Sequence, residues 1–192
     1  MRDGSTTRQR IQQEAIRLFV THGVDAVSMR DIAGAAGLRP SALYAHWPSR
    51  DALVAELFLT GYADYGRRLA ACLDPDATTL ANIAAVVTRV CRFHAEDERL
   101  FRFLLLNQHM HLKDVGAMPD NPVGLLQGLV AKAQAAGEIG PGDPALLTAA
   151  IVGILAQPEV FRIHGRITRG YADIAGDIRD LVLRMLPTPL KA

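Results

Sequence analysis

A chain of 192 residues has room for one or two small domains with a buried core. Apolar residues make up 49% and charged residues 21%, which excludes a disordered chain, and the dominance of Ala and Leu over β-branched runs favours helices. The net charge is only +1; residues 1–53 hold seven arginines against five acids, a balance of +2 that leaves −1 for the rest, too weak an asymmetry to point to nucleic acid by itself.

Taken in chain order, the first element is a helix over Thr6–His22, with Ile11, Ala15, Leu18 and Phe19 on one face and Gly23 as its stop. Ser28-Met29-Arg30-Asp31 has the Ser-x-x-acid spacing of a helix start, and Met29, Ile32, Ala33 and Ala36 form an apolar face before Gly37 ends it. Pro40 suits the first position of the next helix, and Pro48 ends that segment after about two turns. Leu43 and Trp47, four apart, face inward, which leaves Arg39, Ser41, Ala42, Ala45 and His46 outward. Ser49 caps a longer helix, expected to reach Leu73 before the turn at Asp74-Pro75-Asp76. Helices are then expected over Thr78–His94, Asp97–Leu112, Val123–Ala136, Pro144–His164 and Tyr171–Leu186, with an irregular stretch at Lys113–Pro122.

Several classes of chemistry find no support. Cys72 and Cys91 stand in no metal-ligand spacing and lie in apolar helical stretches, as expected of buried thiols in a reducing cytosol. His109 and His111 are two apart on a helix and point to different faces, and no His-Glu-x-x-His or Glu-x-x-His motif occurs, so no metal and no other cofactor is expected. No convergent nucleophile or acid–base set is visible, so the chain is not read as an enzyme. The polar N-terminus lacks a signal-peptide core, and no uninterrupted run of about twenty apolar residues marks a membrane span. A soluble cytoplasmic protein without a membrane partner is therefore expected.

The segments 28–35 and 40–46, joined by a turn containing Gly37, make a helix-turn-helix. A recognition helix must be short, held by an apolar back and free to offer its outer face to the major groove. The run Ala15-Ile16-Arg17-Leu18-Phe19, Gly23, Ser28-Met29-Arg30-Asp31-Ile32-Ala33, Ala36-Gly37-Leu38 and Leu43-Tyr44-Ala45-His46-Trp47-Pro48-Ser49-Arg50-Asp51-Ala52-Leu53 resembles the head of the TetR-type (TetR/AcrR) regulators over about the first 55 residues. The resemblance implies an all-α fold: a three-helix DNA-binding head, joined through a fourth helix to a helical bundle for effector binding and dimerisation. On that reading residues 1–52 form the head and 53–192 the effector and dimerisation domain.

The resemblance also assigns roles. Tyr44 and His46 would touch phosphates, Arg50 would reach the backbone beside a helix N-terminus, and Ser28 and Arg30 would approach from the second helix. Arg39, Pro40, Ser41 and Ala42 would face base edges. The family usually has Ser-Lys-Gly or a similar run there, and Arg39 is a candidate guanine reader because arginine bonds bidentately to guanine.

For the remainder, the resemblance implies a double-stranded DNA operator as partner, a small effector bound within the bundle, and a homodimer through the last two helices. The periodicity agrees in part. Ile174, Ile178, Leu181, Val182 and Met185 make one stripe, and the helix before it is apolar almost all round, so it must be covered on several sides. Pocket candidates are Tyr62, Phe93, Phe101, Phe103, Gln108, His109, Met110, Gln157 and Phe161, whose character points to a hydrophobic or aromatic effector. Two functions stay open: a repressor released from its operator by such a ligand, and a ligand- or lipid-binding protein on the same fold without sequence-specific DNA binding.

Overall fold

The computed structural model describes residues 2–111, 115, 116, 118 and 121–189. Among them are nine α-helices and no strand: α1 Arg2–His22, α2 Met29–Ala35, α3 Pro40–Tyr44, α4 Arg50–Ala70, α5 Thr79–Glu96, α6 Glu98–Asn107, α7 Pro122–Ala135, α8 Pro144–Ile163 and α9 Ala175–Met185. A 3₁₀ turn, Gln108–His111, follows α6. The expected all-helical fold is observed. Much of the expected irregular stretch 113–122 lies outside the described residues.

The chain forms two compact units, Met1–Gly61 with Arg99–Val115, and Tyr62–Glu98 with Gly116–Ala192. In the first, α1 packs on α2 and α2 on α3, around Ile11, Phe19, Ile32, Leu43, Trp47, Leu53 and Phe58, all essentially buried. The apolar stripe of α1 therefore does what its spacing predicts. From Arg99 onward α6 belongs to the same unit, and the Phe103 ring lies 6.0 Å from that of Phe19. Gly61 permits a close approach of α4 to α6, since a Cβ there would stand 3.0 Å from a Leu100 methyl.

In the second unit α5 is central, packing on α7, α8 and α9. Its start is held by Glu138, from the turn after α7, whose carboxylate accepts from the backbone N–H groups of Thr79 (3.0 Å) and Leu80 (2.6 Å). Those bonds hold the Glu138 carboxyl below its ordinary range. The stretch expected to open the last helix at Tyr171 forms turns instead, and α9 begins at Ala175. Arg169 bonds the carbonyl of Asp173 and the carboxylate of Asp177 there. Burial pushes the Cys91 thiol up to about 11, so it stays protonated, while Cys72 is half-buried and not fully enclosed as expected.

α8 departs from the sequence reading in two ways. By length and composition alone it is apolar enough to cross a membrane, although Thr148, Gln157, Pro158 and Glu159 interrupt any continuous apolar run. Within the single chain it buries only one stripe, Thr148, Ile151, Leu155 and Glu159. Leu146, Phe161 and Ile163 on this helix, and Leu181 on α9, are exposed. Glu159 on this helix is completely buried and its carboxylate pairs with Arg162 at 2.7 Å.

Candidate nucleic-acid interface

The start of α2 is built by its capping box. The Ser28 hydroxyl accepts from the Asp31 N–H at 3.3 Å, and Asp31 Oδ2 accepts from the Ser28 N–H at 2.8 Å and from the Ser28 hydroxyl at 2.6 Å. The same hydroxyl thus both donates and accepts, and its bond to Asp31 holds that carboxyl below the usual range. Met29, Ile32 and Ala33 are buried behind this turn, and Arg30 is left exposed.

The turn itself depends on Gly37, whose φ of +64° is a region that side-chain-bearing residues rarely adopt. Leu38 N–H donates to the Ala33 carbonyl at 2.8 Å, closing α2, and Arg39 follows with extended backbone as the N-cap of α3. Pro40 occupies the first turn, as expected. Leu43 is completely buried and Trp47 nearly so, whereas Ser41, Tyr44, Ala45 and His46 are exposed and Pro40 and Ala42 half-buried. Tyr44 is 54% exposed, a large aromatic standing out on a short helix. The regular helix stops at Tyr44, and His46 sits in the following turn, its N–H on the Leu43 carbonyl.

One residue that fixes α3 was not singled out from the sequence. Glu56 on α4 accepts from the Trp47 indole N–H (3.0 Å), from Arg8 (2.6 Å) and from Gln12 (3.2 Å). The Arg8 guanidinium also lies over the Trp47 ring, 4.6 Å from its centroid. The only sequence signal was an acid set between the apolar Leu53 and Leu57, and its partners are remote along the chain.

Ser49 caps α4 through the Ala52 N–H at 3.1 Å. Arg50 donates to the Asp25 carbonyl and to Asp51, each at 3.2 Å, and lies 3.7 Å from the Asp25 carboxylate. Both acids are nearly fully exposed, so these bonds are readily exchanged for water or another anion. Ser28, Tyr44 and Arg50 line one open concavity together with Asp25–Met29 and Pro48–Asp51. Arg30, Arg39, Ser41 and His46 are exposed but do not line it.

The effector candidates do not form one group. Tyr62 and Phe93 are buried in the second unit, where the Tyr65 ring lies 4.8 Å from that of Phe93. Gln157 and Phe161 are exposed on α8. Phe101 and Phe103 are buried in the first unit, in which Gln108 is half-buried and His109 and Met110 are exposed. A concavity of the second unit, bordered by Gln134, Ile139, Gly142 and Pro189, contains none of them.

With this geometry established, residues 11–57 match the model of the bacterial regulatory proteins, tetR family. The chain carries the head of a TetR-type regulator. The matched segment contains all the DNA-contact candidates, from Ser28 to Arg50. An uncharacterised HTH-type transcriptional regulator of Mycobacterium tuberculosis is 26% identical over 161 residues, 82% of each chain. The HTH-type transcriptional repressor KstR2 of Rhodococcus jostii is 32% identical over 96 residues, 47% of each chain. The crystal structure of a tetR-family regulatory protein from Rhodococcus RHA1 has the same fold, with a TM-score of 0.83 at 20% identity over 96% of this chain and 98% of that one.

Proposed function

We propose that this protein is a TetR-type repressor that grips an operator as a homodimer and is released by a small hydrophobic or aromatic molecule. The observation that carries the DNA reading is the outer face of the helix-turn-helix. Arg39, Ser41, Tyr44 and His46 are exposed around a buried Leu43, with Ser28, Arg30 and Arg50 on the flanking elements. Arg39, Pro40, Ser41 and Ala42 read base edges, and Tyr44, His46, Arg50, Ser28 and Arg30 position the head on phosphates. The proposed division of labour is residues 1–52 for DNA and 53–192 for effector and dimer, in the cytoplasm. Repression as the outcome draws on KstR2, a repressor by name.

The homodimer reading rests on α8 and α9. Leu146, Phe161 and Ile163 on α8 and Leu181 on α9 are large apolar side chains left exposed in a single chain. A second copy covers them, and two heads can then meet successive major grooves about 34–36 Å apart. An effector that favours another spacing of the heads releases the DNA. Its aromatic surroundings are best supplied by Tyr62, Tyr65 and Phe93.

The test is a gel-shift titration against DNA from upstream of the protein's own gene, at two salt concentrations, with random competitor. Competitor-resistant binding is expected. Binding to all sequences alike, lost at the higher salt, would move the protein to the ligand- or lipid-binding class.

A further inference from the structure

The second unit contains a group of side chains that neither DNA binding nor dimerisation uses. His94 near the end of α5, Glu98 at the start of α6 and Glu159 on α8 each bring one ligand atom to within 4.8 Å of the others. Glu159 is completely buried and His94 is 5% exposed, while Glu98 is exposed and opens the group to solvent. His94 Nε2 stands 3.1 Å from Glu159 Oε2. Two ligands held about 2.1 Å from one tetrahedral ion lie about 3.4 Å apart, so this pair needs little adjustment to share an ion.

The imidazole is aimed by its surroundings. Its ring stacks on Tyr171, with centroids 4.5 Å apart and planes 20° apart. The Tyr171 hydroxyl donates to the Leu155 carbonyl, one turn before Glu159 on α8. The stack fixes the plane of the imidazole and keeps Nε2 beside Glu159. Arg162 is the competitor: its Nη1 donates to Glu159 Oε2 at 2.7 Å and lies 3.5 Å from His94 Nε2. A buried carboxylate needs a positive partner, and either the guanidinium or a metal ion can supply it.

We propose that His94, Glu98 and Glu159 form a binding site for one divalent transition-metal ion, in competition with Arg162 for Glu159. One imidazole nitrogen with two carboxylates suits a borderline ion such as Zn²⁺ or Co²⁺, and the two carboxylates balance its charge. The site lies wholly in the second unit, and the chain passes into the first immediately after Glu98. An ion held there fixes the first residue of α6.

The test uses the full chain stripped with chelator. Co²⁺ is titrated by visible absorption and Zn²⁺ by calorimetry, on wild type, Glu98→Gln, Arg162→Gln and His109→Gln. Expected are one ion per chain in wild type and in His109→Gln, an affinity at least about tenfold weaker in Glu98→Gln, and a tighter one in Arg162→Gln. Glu98 is exposed, so its variant should melt like the stripped wild type. If a variant fails to fold, the zinc-induced rise in wild-type Tm decides, with His109→Gln as control. The absence of stoichiometric binding in wild type, or equal affinity in wild type and Glu98→Gln, overturns the proposal and leaves Arg162–Glu159–His94 as a structural ion-pair network.

Discussion

Arg50 is held beside α4 by the Asp25 carbonyl and by two exposed acids. Exposed ion pairs contribute little, so a phosphate can take their place without a large penalty. Arg50→Ala should therefore weaken binding to operator and random DNA alike and reduce the slope of log affinity against log salt by about one. An unchanged slope in a salt titration removes Arg50 from the phosphate contacts. Arg39 makes a contrasting case, because it caps α3 with no side-chain cap bond and its side chain is exposed. Arg39→Ala should lose roughly 1–3 kcal/mol on the operator and little on random DNA, as read by competitive gel shift. At Asp31 the relevant variable is pH. Its carboxyl is held low by the Ser28 hydroxyl and then by the Ser28 N–H. A depressed carboxyl stabilises the fold above its unfolded value, and that contribution is lost as pH falls through the folded value. Urea midpoints of wild type and Asp31→Asn should thus differ at neutral pH and converge in acid; a constant gap across the range refutes the cap as its source.

At the scale of elements, α3 is too short to hold itself in place. Five residues make barely more than one turn, and isolated helices of that length do not persist. Its orientation comes from Leu43 and Trp47 beneath and from Glu56, which ties the indole to Arg8 of α1. Glu56→Gln should lower head stability by about 1–2 kcal/mol in urea unfolding, because the ion pair with Arg8 is lost and one of the two acceptor oxygens becomes an amide donor. Operator affinity should fall with it while the salt slope stays unchanged, since no phosphate contact is lost; a wild-type urea midpoint would deny the clamp. The helix-turn-helix was legible because its signals are local: Ser28 three before Asp31, Gly37 at a positive φ, Pro40 at a first turn, Leu43 four before Trp47. Glu56 was not, because its partners sit 48 and 9 residues away and only packing brings them together. The same limit hid the grouping of His94 with Glu159, 65 positions apart, and let Phe101 and Phe103 be grouped with Tyr62 and Phe93 although they fall in different compact units. At the end of the chain the Ile174–Met185 stripe predicts a helix opening at Tyr171, whereas Asp173 and Arg169 bond the backbone into turns before α9 begins.

For the whole molecule the deciding quantity is what covers α8 and α9. A monomer that buries only Thr148, Ile151, Leu155 and Glu159 of a twenty-residue apolar helix leaves Leu146, Phe161 and Ile163 in water, with Leu181 on α9 also exposed. Nothing in the single chain requires Leu181 to be apolar, since it is 56% exposed there. In an isologous dimer each substitution counts twice, because the same patch is used on both copies. A central apolar contact replaced by a charge loses about 2 kcal/mol per copy, so Leu181→Glu should raise the dimer dissociation constant roughly a thousandfold. Sedimentation velocity over a dilution series reads this directly, while circular dichroism should show an unchanged helical spectrum. The operator readout follows from geometry. A monomer presents one head to one half-site, so Leu181→Glu should lose most of its preference for the full operator over a single half-site, with Arg39 and Tyr44 unaltered. A variant that stays dimeric at wild-type concentrations would place the interface elsewhere. One that becomes monomeric yet keeps full operator affinity would separate dimerisation from DNA reading.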